Sequence, residues 1–165
     1  MRYLSIIVVL SALLFSCNSP AQKSKTSEKQ PYKVVKTNAQ WQEELSPLAF
    51  SVLRKNGTER AFSSKLNDNY QAGTYHCASC GTAVFESKHK FDSGTGWPSF
   101  DRAVEGNVSY SEEKQMGYTI MEEHCTTCGG HLGHVFDDGP RETTGKRHCI
   151  NGVALKFIPE NEESK

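Results

Sequence analysis

Gly73-Thr74-Tyr75-His76-Cys77-Ala78-Ser79-Cys80-Gly81 is the stretch that decides the fold. A short extended run, Thr74 to Cys77, feeds a C-x-x-C turn followed by glycine, and Cys125-Thr126-Thr127-Cys128-Gly129 repeats that turn further on. Each turn holds two sulfur ligands close together and supplies glycine where the backbone can need a positive φ. Brought together, the turns offer four sulfurs in the tetrahedral set that suits zinc. Four cysteines leave no open position, so such a site is structural, and metal binding energy acts as folding energy. Two disulfides are the other reading in an exported protein. A redox C-x-x-C of thioredoxin type is a third, but the βαβ context it needs is missing.

Working outward, short extended runs alternate with glycine turns after Gly73. Thr74 to Cys77, Thr82 to Glu86, Val104 to Tyr110, Tyr118 to Glu123, His134 to Phe136 and Cys149 to Ile158 read as strands. In the last, Val153, Leu155 and Phe157 alternate with Ala154, Lys156 and Ile158. Two helices come first. Asn38 can cap one that runs to about Leu45, and Ser46-Pro47 can open a second that stops near Gly57 with Leu48, Val52 and Leu53 on its apolar face. The expected class is mainly β, with two antiparallel sheets in a sandwich or barrel-like arrangement behind short N-terminal helices.

The 165 residues divide into four segments. Residues 1–16 read as a lipoprotein-type signal peptide: Arg2 is the positive region, and the apolar stretch from Leu4 to Phe15 is shorter than the ~20 residues a membrane span needs. Cys17 follows Ser16 as the expected lipidation site, although Phe15 is bulky for that pattern. Residues 17–31 are a polar tether, residues 32–160 the folded domain and residues 161–165 a polar tail. Placement in the bacterial cell envelope is expected, lipid-anchored and facing the periplasm; Asn18 leaves the outer membrane open. Nineteen basic and nineteen acidic residues give a formal net charge of zero, which argues against nucleic acid as a partner. A monomer is expected.

One thiol of the mature domain is left over. Cys149 lies in Arg147-His148-Cys149-Ile150-Asn151, and neighbouring cations lower a thiol pKa toward the nucleophilic thiolate. A small buried hydrophobe is the plain alternative. Trp97 follows two glycines and precedes Pro98, a rigid loop able to present an indole face; core packing is its ordinary role. His131 and His134 flank Gly133 and offer imidazoles for proton donation, since cysteines already account for the metal ligands.

With these residues in view, the chain resembles a known family. The two C-x-x-C motifs, Lys90-Phe-Asp-Ser-Gly-Thr-Gly-Trp-Pro-Ser-Phe100, Gly130-His-Leu-Gly-His-Val-Phe-Asp-Asp-Gly-Pro140 and Arg147-His-Cys-Ile-Asn151 are similar, in that order, to the B-type peptide-methionine sulfoxide reductases. The resemblance covers about residues 40–159. It implies two antiparallel sheets, a structural zinc at Cys77, Cys80, Cys125 and Cys128, and reduction of the R epimer of methionine sulfoxide as protein repair under oxidative stress. It also implies roles: Cys149 as nucleophile, Trp97 as cradle for the substrate methyl, His131 and His134 as binders and proton donors of the sulfoxide oxygen, Asn151 as their orienting partner, Arg147 as stabiliser of the thiolate, and Asp138 as holder of a histidine or shaper of the pocket.

Three positions depart from the family pattern. Thr95 stands where many members carry a resolving cysteine, His148 where an aromatic is frequent, and Gly152 where a serine is frequent. With four cysteines on zinc and Cys17 lipidated, the expectation is a one-cysteine cycle whose sulfenic acid is reduced by an external, thioredoxin-like thiol. A non-enzymatic zinc-ribbon-like binding module is the competing function, and a thiol-disulfide exchanger a third; the first leaves Cys149, Trp97 and the histidine pair without a task.

Overall fold

The computed structural model describes residues 32–115 and 117–161. The leader, the tether with Cys17, and residues 162–165 lie outside the described residues. Among the described residues no helix is long and apolar enough to cross a membrane.

Helix α1 (Asn38–Glu44) is capped by Thr37 rather than Asn38: the Thr37 hydroxyl accepts the Gln40 amide while the Gln40 side chain returns to the Thr37 amide. This reciprocal capping box needs a hydroxyl and a Gln three residues apart, a pairing that outweighs the cap preference of Asn. Helix α2 (Pro47–Lys55) starts as expected, with Ser46 accepting the Ala49 amide and Pro47 in the first turn. Its left-handed stop is Asn56 (φ 53°), one residue before Gly57. The buried face is Ala49, Phe50, Val52 and Leu53. Leu48 is half exposed, because the stripe that faces the core runs through 49, 52 and 53 at the helical i, i+3, i+4 spacing.

Nine strands follow among the described residues: β1 (Gly73–Cys77), β2 (Ala83–Glu86), β3 (Lys90–Phe91), β4 (Ser99–Phe100), β5 (Val108–Gln115), β6 (Tyr118–Cys125), β7 (His131–Phe136), β8 (Arg147–Ile150) and β9 (Leu155–Pro159). They form two antiparallel sheets, one ordered β2-β1-β9 and the other β3-β4-β8-β7-β6-β5. The mainly β reading holds, with two sheets and two short helices.

Some boundaries moved. The run expected from Val104 starts at Val108, because Gly106 (φ +76°) sits in a turn closed by the Asn107 amide on the Val104 carbonyl. The single strand expected from Cys149 to Ile158 is two strands in different sheets, separated by a 3-10 turn at Gly152–Ala154. Val153 and Ala154 belong to that turn, so their alternation was not a strand signal.

An aromatic stack joins the sheets. Tyr75 (β1) meets Phe100 (β4) edge to face at 5.0 Å and Phe157 (β9) at 4.9 Å, and Phe85 (β2) stacks on Phe100 at 4.5 Å. Tyr75, Phe85 and Phe100 are fully buried. Such ring pairs add roughly 0.5–1.5 kcal/mol each beyond the area they bury.

Candidate active site and metal centre

The four cysteines of the paired turns converge. The sulfurs of Cys77, Cys80, Cys125 and Cys128 all lie within 4.8 Å of one another, and none is in a disulfide. Both turns close alike: the Gly81 amide bonds the Cys77 carbonyl and the Gly129 amide the Cys125 carbonyl, each at 2.8 Å. Gly81 (φ +75°) and Gly129 (φ +67°) are left-handed, the role their glycines were expected to fill. Four sulfurs at this separation fit one tetrahedral metal ion and leave no position for substrate.

Arg54 of α2 braces this centre. Its guanidinium donates to the Cys128 sulfur at 3.3 Å and to the Cys128 carbonyl at 2.8 Å, and its Cζ lies 3.9 Å over the Trp41 ring. A cavity of about 210 Å³ beside this centre is lined by Tyr32, Trp41, Arg54 and Cys128.

The second constellation grows from strand register. Cys149 on β8 stands opposite His134 on β7 and Ser99 on β4, and His134 in turn stands opposite Glu122 on β6. Residues directly opposite share a sheet face, so one polar row, Glu122–His134–Cys149–Ser99, crosses four strands. Arg147 and Phe136, two residues along each strand, face the same way as Cys149 and His134. His148 falls on the reverse face, where it is buried with its Nδ1 2.5 Å from Glu123. It is therefore no cationic neighbour of the sulfur. Period-two alternation sends adjacent side chains to opposite faces.

A cavity of about 150 Å³ opens at Cys149 and His134 of this row, lined also by Trp97, Asn151, Phe136, Thr58 and Gly133. A larger one, about 580 Å³, lies on the reverse face beside His148, Val135, Met121 and Tyr110 and carries no thiol.

Burial pushes the Cys149 thiol up, against the pull of the Arg147 charge and of Thr95, whose Oγ1 is 4.0 Å from the sulfur. Desolvation thus outweighs the cation that the sequence singled out. Arg147 is itself fixed: it donates to both Asp138 carboxylate oxygens at 2.8 and 2.9 Å and lies 4.5 Å over the Phe136 ring. Asp138 accordingly holds an arginine.

The two histidines differ. His134 lines the cavity and its Nε2 is 3.0 Å from the Glu113 carboxylate. His131 is buried behind it, with Nδ1 2.9 Å from Glu122 and Nε2 without a hydrogen-bond partner among the described residues. Burial lowers its pKa, against the pull of Glu122. A register shift between β6 and β7, at Glu123 and His124, rotates His131 out of strict alternation. The two rings then meet at 5.2 Å.

Glu59 is the residue that sequence reasoning missed. Its buried carboxylate accepts the Gly152 and Val153 amides at 2.5 and 3.0 Å, its amide donates to the Asn151 side chain at 2.9 Å, and its carbonyl accepts the Trp97 indole at 3.1 Å. Trp97 and Asn151, 54 positions apart, are thereby locked to one residue. The Asn151 amide completes its bonding on the Leu132 carbonyl at 3.1 Å. The one available signal was an acid in Gly57-Thr58-Glu59, a loop with no periodicity that would mark it as buried.

Comparison with known proteins bears on this geometry. Residues 45–159 match the model of the SelR domain. The peptide methionine sulfoxide reductase MsrB of Bradyrhizobium diazoefficiens is 49% identical over 142 residues, spanning 86% of this chain and 99% of its own length. The MsrB proteins of Leptospira interrogans (48% identity; 78% and 98% of the two chains) and Methanosarcina mazei (46%; 81% and 95%) align comparably. Among solved structures, the Mis18 'Yippee-like' domain covers 53% of this chain and 96% of its own at 19% identity, but its TM-score of 0.43 is too low to bear on fold or function. With a SelR match over most of the chain and relatives near half identical along their whole length, this protein belongs to the SelR-domain family of MsrB-type peptide methionine sulfoxide reductases.

Proposed function

We propose that this methionine sulfoxide reductase acts on the R epimer, in proteins or peptides, through a one-cysteine cycle centred on Cys149. The carrying observation is the small cavity that joins one half-buried thiol, an indole, an imidazole and a locked asparagine. The Cys149 thiolate attacks the sulfoxide sulfur, and a proton reaches the sulfoxide oxygen. The S=O bond breaks, the oxygen passes to Cys149 as a sulfenic acid, and methionine leaves. The cysteine sulfur loses two electrons and the methionine sulfur gains them. An external dithiol, thioredoxin-like, then returns Cys149 to the thiol, releasing water and its own disulfide.

Each residue supports this reading. His134, paired with Glu113, delivers the proton in this reading. Trp97 and Phe136 give the methyl an apolar wall. His131 supports His134 from behind. Arg147, held by Asp138, favours the thiolate that burial disfavours. Thr95 occupies the place beside the sulfur from which a second thiol could resolve the intermediate.

The metal at Cys77, Cys80, Cys125 and Cys128 is read as zinc, which would supply no chemistry beyond clamping two turns. We further read the chain as a monomer, anchored by a lipid at Cys17 in a bacterial envelope and facing the periplasm; the leader sequence alone supports this placement. The test of the function is reduction of separated R and S sulfoxides by the wild type and Cys149→Ser. Turnover of R alone, abolished in the variant, is expected; turnover of S, or an active variant, overturns it.

A further inference from the structure

Phe62 is the odd residue beside the site. It lies third in a tight turn, Arg60 to Ser63, closed by the Ser63 amide on the Arg60 carbonyl at 3.2 Å. Its φ is +62°, the left-handed region where turns normally place glycine or asparagine. A bulky residue there costs energy, and such strain persists where the surroundings impose it and function uses it.

The surroundings do impose it. The Phe62 amide donates to the Gly96 carbonyl at 2.7 Å, and its ring lies so close to Gly96 that a Cβ on that glycine would meet ring carbons at 2.8 Å. The strained turn therefore seats the ring on the residue preceding Trp97. Yet 70% of Phe62 remains exposed, so the strain does not serve to bury it. The same segment supplies Thr58 to the cavity and Glu59 to the indole. An exposed aromatic thus adjoins the loop that carries Trp97, held against Gly96 on one side and open to solvent on the other.

The cavity explains what would cover it. About 150 Å³ is well below the ~300 Å³ at which pockets begin to enclose whole small ligands, so it accommodates a side chain while the polypeptide bearing it lies across the rim. We propose that Phe62 is a specificity residue that receives an apolar side chain flanking methionine sulfoxide in a polypeptide substrate. This rests on the function proposed above and names the substrate class more narrowly: oxidised methionine next to an apolar neighbour in accessible chain. Partial burial of one aromatic ring is worth about 1 kcal/mol, which corresponds to roughly fivefold in specificity.

The test compares kcat/KM on three substrates: free methionine R-sulfoxide, a pentapeptide with the sulfoxide between glycines, and one with it between leucines. In the wild type the leucine peptide is preferred. In Phe62→Ala its advantage over the free amino acid falls about fivefold, and Phe62→Tyr restores it. Phe62→Gly, which relieves the left-handed strain, loses the same preference with a Tm no lower than the wild type. An equal loss on all three substrates, no loss at all, or a markedly lower Tm for Phe62→Gly overturns the inference by making Phe62 a structural prop. A wild type that turns over none of the three overturns the proposed function, and this inference with it.

Discussion

The Thr95 hydroxyl lies 4.0 Å from the Cys149 sulfur. A disulfide needs sulfurs about 2.05 Å apart, so a thiol at position 95 would need only a modest loop adjustment to bond. Threonine cannot. The expected outcome is that substrate without reductant leaves wild-type Cys149 free of any intramolecular disulfide, whereas Thr95→Cys acquires one between the introduced thiol and Cys149. Non-reducing peptide mapping reads both. A wild-type disulfide to any of the four clustered cysteines would end the one-cysteine cycle.

Arg147 opposes burial at the same sulfur. Burial raises the thiol pKa and the guanidinium lowers it, so removing the guanidinium raises it further. Because the thiolate is the reacting form, Arg147→Met should move the rising limb of the alkylation-rate profile to higher pH. Iodoacetamide rates should drop several-fold at neutral pH and converge with wild type in alkali. An unmoved limb would show that Arg147 does not set the thiolate population.

Arg54 should matter to metal retention rather than to chemistry. Partners that hydrogen-bond a metal ligand are typically worth 10–100-fold in affinity. With its donation to Cys128 removed, Arg54→Met should lose its bound metal to a competing chelator about tenfold more readily, with a lower Tm. Equal retention in the two proteins would leave the guanidinium as a packing element on Trp41.

Glu59 carries two charge-assisted bonds to the Gly152 and Val153 amides in a buried setting. Bonds to charged groups contribute about 1.5–3 kcal/mol each, with a further cost for the amides left bare. Glu59→Ala should therefore destabilise by roughly 3 kcal/mol in urea unfolding and lower kcat/KM, because Trp97 and Asn151 lose a shared support. A loss under about 0.5 kcal/mol, the scale of an ordinary surface change, would contradict this.

Local chemistry made much of this legible in the sequence. The C-x-x-C-G turns announced themselves by repetition, Ser46-Pro47 by cap and proline, and Cys149 by having no partner. What stayed hidden depended on distant pairing. His148 looked like a cationic neighbour of Cys149 until register placed it on the other face, beside Glu123. His131 and His134 looked equivalent until a register shift buried one behind the other. The two-residue strands β3 and β4 are too short to show a period, yet β4 is the partner that places Ser99 beside Cys149. Glu59 acts across 92 residues on Asn151, and no local pattern encodes that.

The most direct test of the central claim follows the oxygen. The protein is given one equivalent of methionine R-sulfoxide without reductant, trapped with a sulfenic-acid reagent and mapped by mass spectrometry. The account predicts methionine as product and the adduct on Cys149, with none formed from the S epimer. Methionine released with Cys149 unmodified, or the oxygen found on another residue, would contradict it.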